Sequence, residues 1–183
     1  MRIITTIGLV LLLSSHSIAE DTDRSRADQL DKLFGSLHQT SITQDPDKIV
    51  ADIWAIWARN DSATAELLLR QSVAAMNARE YDAAEKMLIQ LIETYPTYAE
   101  AWNKRATLYF MQGRMDASLI DIEHALELEP RHFGALGGKA MILRAQGKTL
   151  EALKVLKEEL AINPHQAAVA QAIKDLLKTS PDI

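Results

Sequence analysis

Carboxylates and histidines at helical spacing are the residues of this chain that come nearest to a metal-binding or proton-transfer site. Asp121 and His124 lie three residues apart, so a helix would place both side chains on one face. Two ligands do not complete a zinc site, which takes three or four, and we therefore expect both residues on a solvated outer helix face. Glu158 and Glu159 are likewise expected to form charged surface.

No other pattern in the chain indicates catalysis. The sequence has no glycine-rich phosphate-binding loop and no serine nucleophile signature, and it contains no cysteine, which excludes disulfides and thiolate chemistry. With 20 Lys and Arg residues against 25 Asp and Glu residues, its net charge of −5 argues against a nucleic-acid partner, which requires a basic surface. The sequence therefore predicts a protein without enzymatic activity, cofactor or bound metal.

Residues 1–19 have the three-part pattern of a secretory signal peptide. Arg2 supplies a positive start, an apolar run follows from Ile3 to Leu13, and Ser17-Ile18-Ala19 has the small-x-small pattern of a cleavage site. The alternative is a membrane anchor, but so short a run spans only roughly 16 Å of helix, whereas a bilayer needs ~20 apolar residues. We expect cleavage before Glu20, no stable membrane anchor after cleavage, and export to a bacterial periplasm.

A fixed interval of 34 residues runs through the rest of the chain. Five registers keep this interval. One is formed by the prolines Pro96/Pro130/Pro164, and four are formed by large or small residues, which are Leu68/Trp102/Leu136, Ser72/Ala106/Ala140, Ala84/Ser118/Ala152 and Leu88/Ile122/Leu156. Each unit holds two stretches of helical apolar period, and Gly113 and Gly147 fall between the stretches, where a sharp turn is needed. A period of this length predicts stacked helical repeats, which usually present a binding surface.

In the order of their large, small, aromatic, glycine and proline positions, these units resemble the tetratricopeptide repeat (TPR). The first repeat spans residues 65–98, the second 99–132 and the third 133–166; the second is the clearest copy, with Trp102, Ala106, Tyr109, Gly113, Ser118, Ile122, Ala125 and Pro130 at motif positions. The resemblance implies an all-α solenoid of stacked helix-turn-helix repeats. Two departures are visible. Arg79 replaces the turn glycine of the first repeat, and Arg105 is one of three polar residues at positions where the family often has leucine, with its head expected in water.

Further helices flank the three repeats. Residues 24–62 are predicted to form an N-terminal helical pair, either a degenerate fourth repeat or a cap. We expect Trp54 and Trp57 of this pair to pack against the first repeat, and the alternative is an exposed aromatic patch for a partner. Residues 167–178 are predicted to form the C-terminal capping helix that repeat arrays need for solubility.

The resemblance also implies where a partner would bind, because in this family the first helix of each repeat lines a concave groove. The residues of this chain that match those positions, and that we assign to the groove, are Arg70, Val73, Asn77, Asn103, Lys104, Thr107, Phe110, Met111, Met141 and Arg144. Asn103 and Lys104 are expected to fix a partner's backbone or an acidic group, while Phe110 and Met111 take apolar side chains. The alternative is that these positions are solvated or covered by the N-terminal helices.

Some family members clamp the terminal carboxylate of chaperone tails, but the corresponding positions here are Leu69, Val73, Lys104, Gly134 and Gly138. Only one of these is polar, so that clamp is not expected. Gly134, Gly137 and Gly138 lie close together in a predicted helix, which indicates close approach to the backbone by a ligand or by a neighbouring helix. The further alternative is a tolerated flexible start to the helix.

The sequence therefore predicts an exported protein–protein interaction adapter that binds a partner segment in the groove of its repeats. The alternative is a structural protein that assembles into a homo-oligomer through the groove or the Trp54/Trp57 face.

Overall fold

The computed structural model describes residues 24–39 and 45–179, so the predicted signal peptide lies outside the described residues. The helices are α1 (24–37), α2 (Pro46–Trp57), α3 (Ala63–Asn77), α4 (Tyr81–Thr94), α5 (Ala99–Met111), α6 (Met115–Leu128), α7 (Phe133–Ala145), α8 (Thr149–Ile162) and α9 (Ala167–Thr179). No strand occurs within these ranges. The predicted all-α repeat architecture is confirmed. The chain divides into two compact units, Met1–Ile56 and Trp57–Ile183.

The first unit contains α1 and most of α2, each with a buried apolar stripe. Leu30, Phe34 and Leu37 of α1 recur at helical spacing and are all buried, as is Ile53 of α2. Asp45 caps the N-terminus of α2, because its side chain accepts a hydrogen bond from the backbone N–H of Asp47 at 3.1 Å. A carboxylate is favourable there because the first N–H groups of a helix have no partner within the helix.

The second unit stacks helices in sequence order. The pairs α3/α4, α5/α6 and α7/α8 make the most extensive contacts, and each pair packs on the next through α4/α5, α6/α7 and α8/α9. The small residues predicted at the close approaches are buried, with Ser118 at 1% exposure. Its hydroxyl donates to the carbonyl of Ala106 across the α5/α6 pair at 2.7 Å, so a serine can replace alanine without leaving a buried polar atom unpaired.

The turns within the repeats require a left-handed backbone. Gly113 and Gly147 have φ values of 76° and 73°, and Arg79 adopts the same conformation with φ of 62°. The first repeat thus keeps the turn geometry without the glycine, although a side chain disfavours this region of conformational space.

The prolines of the 34-residue interval follow the ends of α4, α6 and α8. Pro96 comes two residues after Thr94, the last residue of α4, where proline cannot continue a helix. Its carbonyl accepts a hydrogen bond from the indole N–H of Trp102 at 2.8 Å. Trp102 is half-buried and packs against the apolar clusters of both the first and the second repeats.

None of the helices described is long and apolar enough to cross a bilayer.

Candidate partner-binding groove

The groove residues predicted from the sequence all lie on α3, α5 and α7, the first helices of the three repeats, but they differ in exposure. The exposed members are Arg70, Asn77, Thr107, Met111, Met141 and Arg144. Val73, Lys104 and Phe110 are half-buried, and Asn103 is buried. The exposed methionines have 46% and 53% of their surface in solvent, which leaves flexible apolar side chains available for contact.

Three of the predicted residues come together in a cleft at the third repeat. The cleft has a volume of about 480 Å³ and is lined by Phe110, Met141, Arg144, Ala145, Thr149 and Leu176. Its walls come from α5, α7, the start of α8 and the capping helix α9. A cleft with apolar walls and one guanidinium suits an extended segment that presents an apolar side chain beside an acidic or polar group.

The polar residues of the second repeat have a different role from the one predicted. Glu100 is only 2% exposed, and the Asn103 amide donates to its Oε2 at 2.9 Å. Lys104 Nζ forms an ion pair with Glu100 Oε1 at 2.7 Å. The prediction that Asn103 contacts a partner is therefore corrected, because its side chain is turned inward to satisfy a buried carboxylate.

His132 completes the environment of Glu100. The backbone N–H of Ala135 donates to His132 Nδ1 at 3.2 Å, which leaves the proton on Nε2 to donate to Glu100 Oε2 at 2.9 Å. Burial by itself would raise the pKa of Glu100, but the hydrogen bond from His132 and the charge of Lys104 outweigh it and hold the pKa below its ordinary value.

The C-terminal end of α2 and the residue after it pack on this same region. The indole of Trp57 is 7% exposed and stacks on the His132 ring, with centroids 4.2 Å apart and planes inclined by 12°; Phe133 lies 4.8 Å away. The Tyr98 hydroxyl of the first repeat donates to the carbonyl of Ala58. Trp57 is therefore a packed residue, not part of an exposed aromatic patch, and its ring contacts His132 and Phe133 at the junction of the second and third repeats.

The candidate metal pair has a structural role instead. Asp121 is 1% exposed and accepts two hydrogen bonds from the Arg105 guanidinium, at 2.7 and 2.8 Å. The prediction of a solvated face is wrong for Asp121. The prediction that the Arg105 guanidinium lies in water is also wrong, because this group binds the Asp121 carboxylate. His124 has half of its side chain exposed and lies 3.3 Å from Glu127. The Arg105–Asp121 pair thus joins α5 to α6.

The prediction that Glu159 lies at the surface is also wrong. Glu158 is exposed, but Glu159 on α8 is 4% exposed. Burial, only partly offset by the nearby Gln166, raises the pKa of Glu159 to about 7. The repeat interval held a signal that could have identified it, because Glu159 is in register with Ala125 and Leu91, both fully buried.

The glycines of α7 are approached by neighbouring helices. A Cβ atom on Gly137 would lie 3.3 Å from Glu159 Oε1, and one on Gly138 would lie 3.4 Å from Ile122 Cδ1. Close helix packing therefore accounts for these two of the three glycines.

The positions that form a terminal-carboxylate clamp in some family members are not available here. Lys104 is bound to Glu100, and the other clamp positions carry no polar side chain.

The geometry agrees with comparisons with known proteins. A family model described as tetratricopeptide repeat matches residues 69–123. A TPR repeat-containing protein of Rhizobium etli is 39% identical over 151 residues, which cover 81% of this chain and 72% of the relative. Among solved structures, the first TPR of Spaghetti bound to an HSP90 peptide aligns with a TM-score of 0.61 at 19% identity, over 66% of this chain and 98% of that one. The complex of the TPR2B domain of yeast Sti1 with pHsp70 aligns with a TM-score of 0.58 at 20% identity, over 66% and 98%.

Proposed function

Because the chain belongs to the tetratricopeptide repeat family, we propose that it is a non-enzymatic adapter that binds a segment of a partner protein in the groove of its repeats. The observation that carries the proposal is the cleft at the third repeat, where Phe110, Met141 and Arg144 meet. The two solved structures described above, one with an HSP90 peptide and one with pHsp70, support partner binding as a use of this fold.

The mode of binding differs from a clamp on a terminal carboxylate. Such a clamp needs several cationic or amide side chains around one anion, and the matching positions here provide Lys104 alone, which is already paired with Glu100 at 2.7 Å. Contact is instead centred on Phe110, Met111, Met141 and Arg144. The partner segment would place apolar side chains against the first three and a polar or acidic group near the guanidinium.

We also propose that the protein acts in the periplasm after cleavage before Glu20. The proposal rests on the charge, apolar run and small-residue pattern of residues 1–19.

The adapter function is tested by affinity capture with crosslinking from a periplasmic extract of the source bacterium, with the protein from Glu20 onward as bait. The groove variant is Met111→Ala/Met141→Ala/Arg144→Glu, whose two methionines are 46% and 53% exposed, so that folding is spared. The matched control is Ile120→Ala/Leu150→Ala, which removes apolar side chains that are 60% and 63% exposed on the second helices.

A protein captured by the wild type and the control, but lost with the groove variant, supports the adapter function. Equal capture by all three baits contradicts the groove assignment. Crosslinks between copies of the bait alone, with a mass that falls on dilution, would favour the homo-oligomer instead.

A further inference from the structure

The second and third repeats each bury a carboxylate, but they surround it with different side chains. In the second repeat, Glu100 is surrounded by three donors, Asn103, Lys104 and His132. The residues 34 positions later are Gly137, Gly138 and Gln166. The charged and potentially charged donors around Glu100, which are Lys104 and His132, therefore have no charged counterparts in the third repeat. The third repeat nevertheless buries a carboxyl group, that of Glu159.

Glu159 reaches this region from the other helix of its repeat. A Cβ atom on Gly137 would lie 3.3 Å from Glu159 Oε1 and 3.6 Å from Oε2. The carboxyl group therefore fills the side-chain space of residue 137, the counterpart of Asn103. Gly137 and Gly138 are only half-buried, so no side chain of residues 137 or 138 separates the carboxyl group from the groove face of α7.

In the part of the chain that the structure describes, one oxygen of this carboxyl group, Oε2, also lacks a hydrogen-bond partner. Glu159 Oε2 and Gln166 Nε2 are both buried and, within residues 24–39 and 45–179, neither has a hydrogen-bond partner. Gln166 lies close enough to the carboxyl group to lower its pKa. Buried polar atoms are rarely left in this state, because each costs free energy that a hydrogen bond would recover. The unmet capacity of Glu159 Oε2 is that of a hydrogen-bond acceptor, and a charged donor makes the strongest bond to a carboxylate.

We propose that the third repeat binds a basic side chain of the partner segment, an arginine or lysine, with Glu159 as its counter-ion beside Gly137. The inference rests on the proposed function and adds the chemistry of the partner. A guanidinium is flat enough to lie against a glycine backbone and donates two parallel hydrogen bonds to one carboxylate. Because burial raises the pKa of Glu159 to about 7, a bound cation would displace its proton, and affinity should increase from pH 6 to pH 8.

The test begins with a phage-displayed library of random dodecapeptides selected at pH 8 against the protein from Glu20 onward. Selected peptides are synthesised, and their dissociation constants are measured by fluorescence anisotropy. Each arginine is then replaced by citrulline, which keeps the shape and removes the charge, and each lysine by norleucine. Binding is compared among the wild type, Glu159→Gln, and the matched control Glu158→Gln, which removes an exposed charge from the adjacent residue.

The proposal predicts that the selected peptides share a basic residue at a fixed place. Its replacement should weaken binding to the wild type and to Glu158→Gln by about ten- to a hundredfold, the range of a buried charge-assisted hydrogen bond. Glu159→Gln should bind the basic peptide as weakly and should not distinguish it from the neutral one. A thermal melt of each variant confirms that the fold is retained.

Two results would overturn the proposal, and they are distinguishable. If no peptide is selected, the proposed function fails and this inference fails with it. If peptides are selected but tolerate citrulline or norleucine, or if Glu159→Gln still distinguishes the charged from the neutral peptide, groove binding stands and the role of Glu159 is refuted.

Discussion

The buried carboxyl group of Glu159 should make this fold less stable as the pH rises, and one substitution isolates its contribution. The pKa of Glu159 lies at about 7 in the folded chain against an ordinary value of 4.5. Between these values the folded state holds a proton that the unfolded state has released, so the free energy of unfolding decreases as pH rises through this window. Glu159→Gln keeps the shape of the side chain and removes the titration.

The magnitude follows from the two pKa values. Each pH unit inside the window contributes about 1.4 kcal/mol, so the cost of the ionisable group increases by roughly 2.5 kcal/mol between pH 5 and pH 8. The advantage of Glu159→Gln over the wild type should therefore grow by about that amount. For a chain of this size it corresponds to about 5–10 °C in melting temperature.

The assay is urea denaturation followed by circular dichroism at pH 5 and pH 8, for the wild type, Glu159→Gln and Glu158→Gln. Other titrating groups contribute equally to the wild type and the variants, so the difference between proteins reports the substituted residue. Glu158→Gln should follow the wild type at both pH values because Glu158 is exposed. If the stability difference between wild type and Glu159→Gln were the same at pH 5 and pH 8, the reasoning about this buried carboxyl group would be refuted.

Three further predictions concern the turns, the ion pair and export. Arg79→Gly should raise the free energy of unfolding by about 0.5–1 kcal/mol, because the residue has φ of 62°, whereas Gly113→Ala should lower it by about 1 kcal/mol; urea denaturation that shows Arg79→Gly to be less stable would contradict this. Asp121→Leu should cost about 3 kcal/mol by leaving the half-buried Arg105 without its partner, and the double substitution Arg105→Leu/Asp121→Leu should recover most of that loss. A double-mutant cycle measures both effects, and a double variant as unstable as the single one would count against the pairing. Mass spectrometry of the periplasmic fraction should find a chain beginning at Glu20, and an intact chain starting at Met1 would contradict cleavage.

The fold could be predicted because its determinants repeat. Small residues, turn glycines and prolines recur every 34 residues, and each position has one physical role in every copy, such as the left-handed turn at Gly113 and Gly147. Even Arg79 was located correctly, because the registers on either side of it fix the position of the turn.

The candidate site was less predictable because its residues interact across helices. Sequence position placed Asn103 and Lys104 on the groove helix. It could not show that Glu100 is buried and binds both side chains, by a hydrogen bond from Asn103 and an ion pair with Lys104. Asp121 and Glu159 appeared to be surface residues because acidic side chains usually are. Their burial depends on Arg105 and on the missing side chain of Gly137, which are distant in sequence.

Site-specific photo-crosslinking tests the groove most directly. A photoreactive phenylalanine analogue is placed at Met141 in the cleft or at Ile120 on a second helix, positions with similar exposures of 53% and 60%, and cells expressing each protein are irradiated. Binding in the groove predicts a covalent adduct with one partner protein from position 141 and none from position 120. An adduct from position 120 alone, or the same adduct from both, would contradict it.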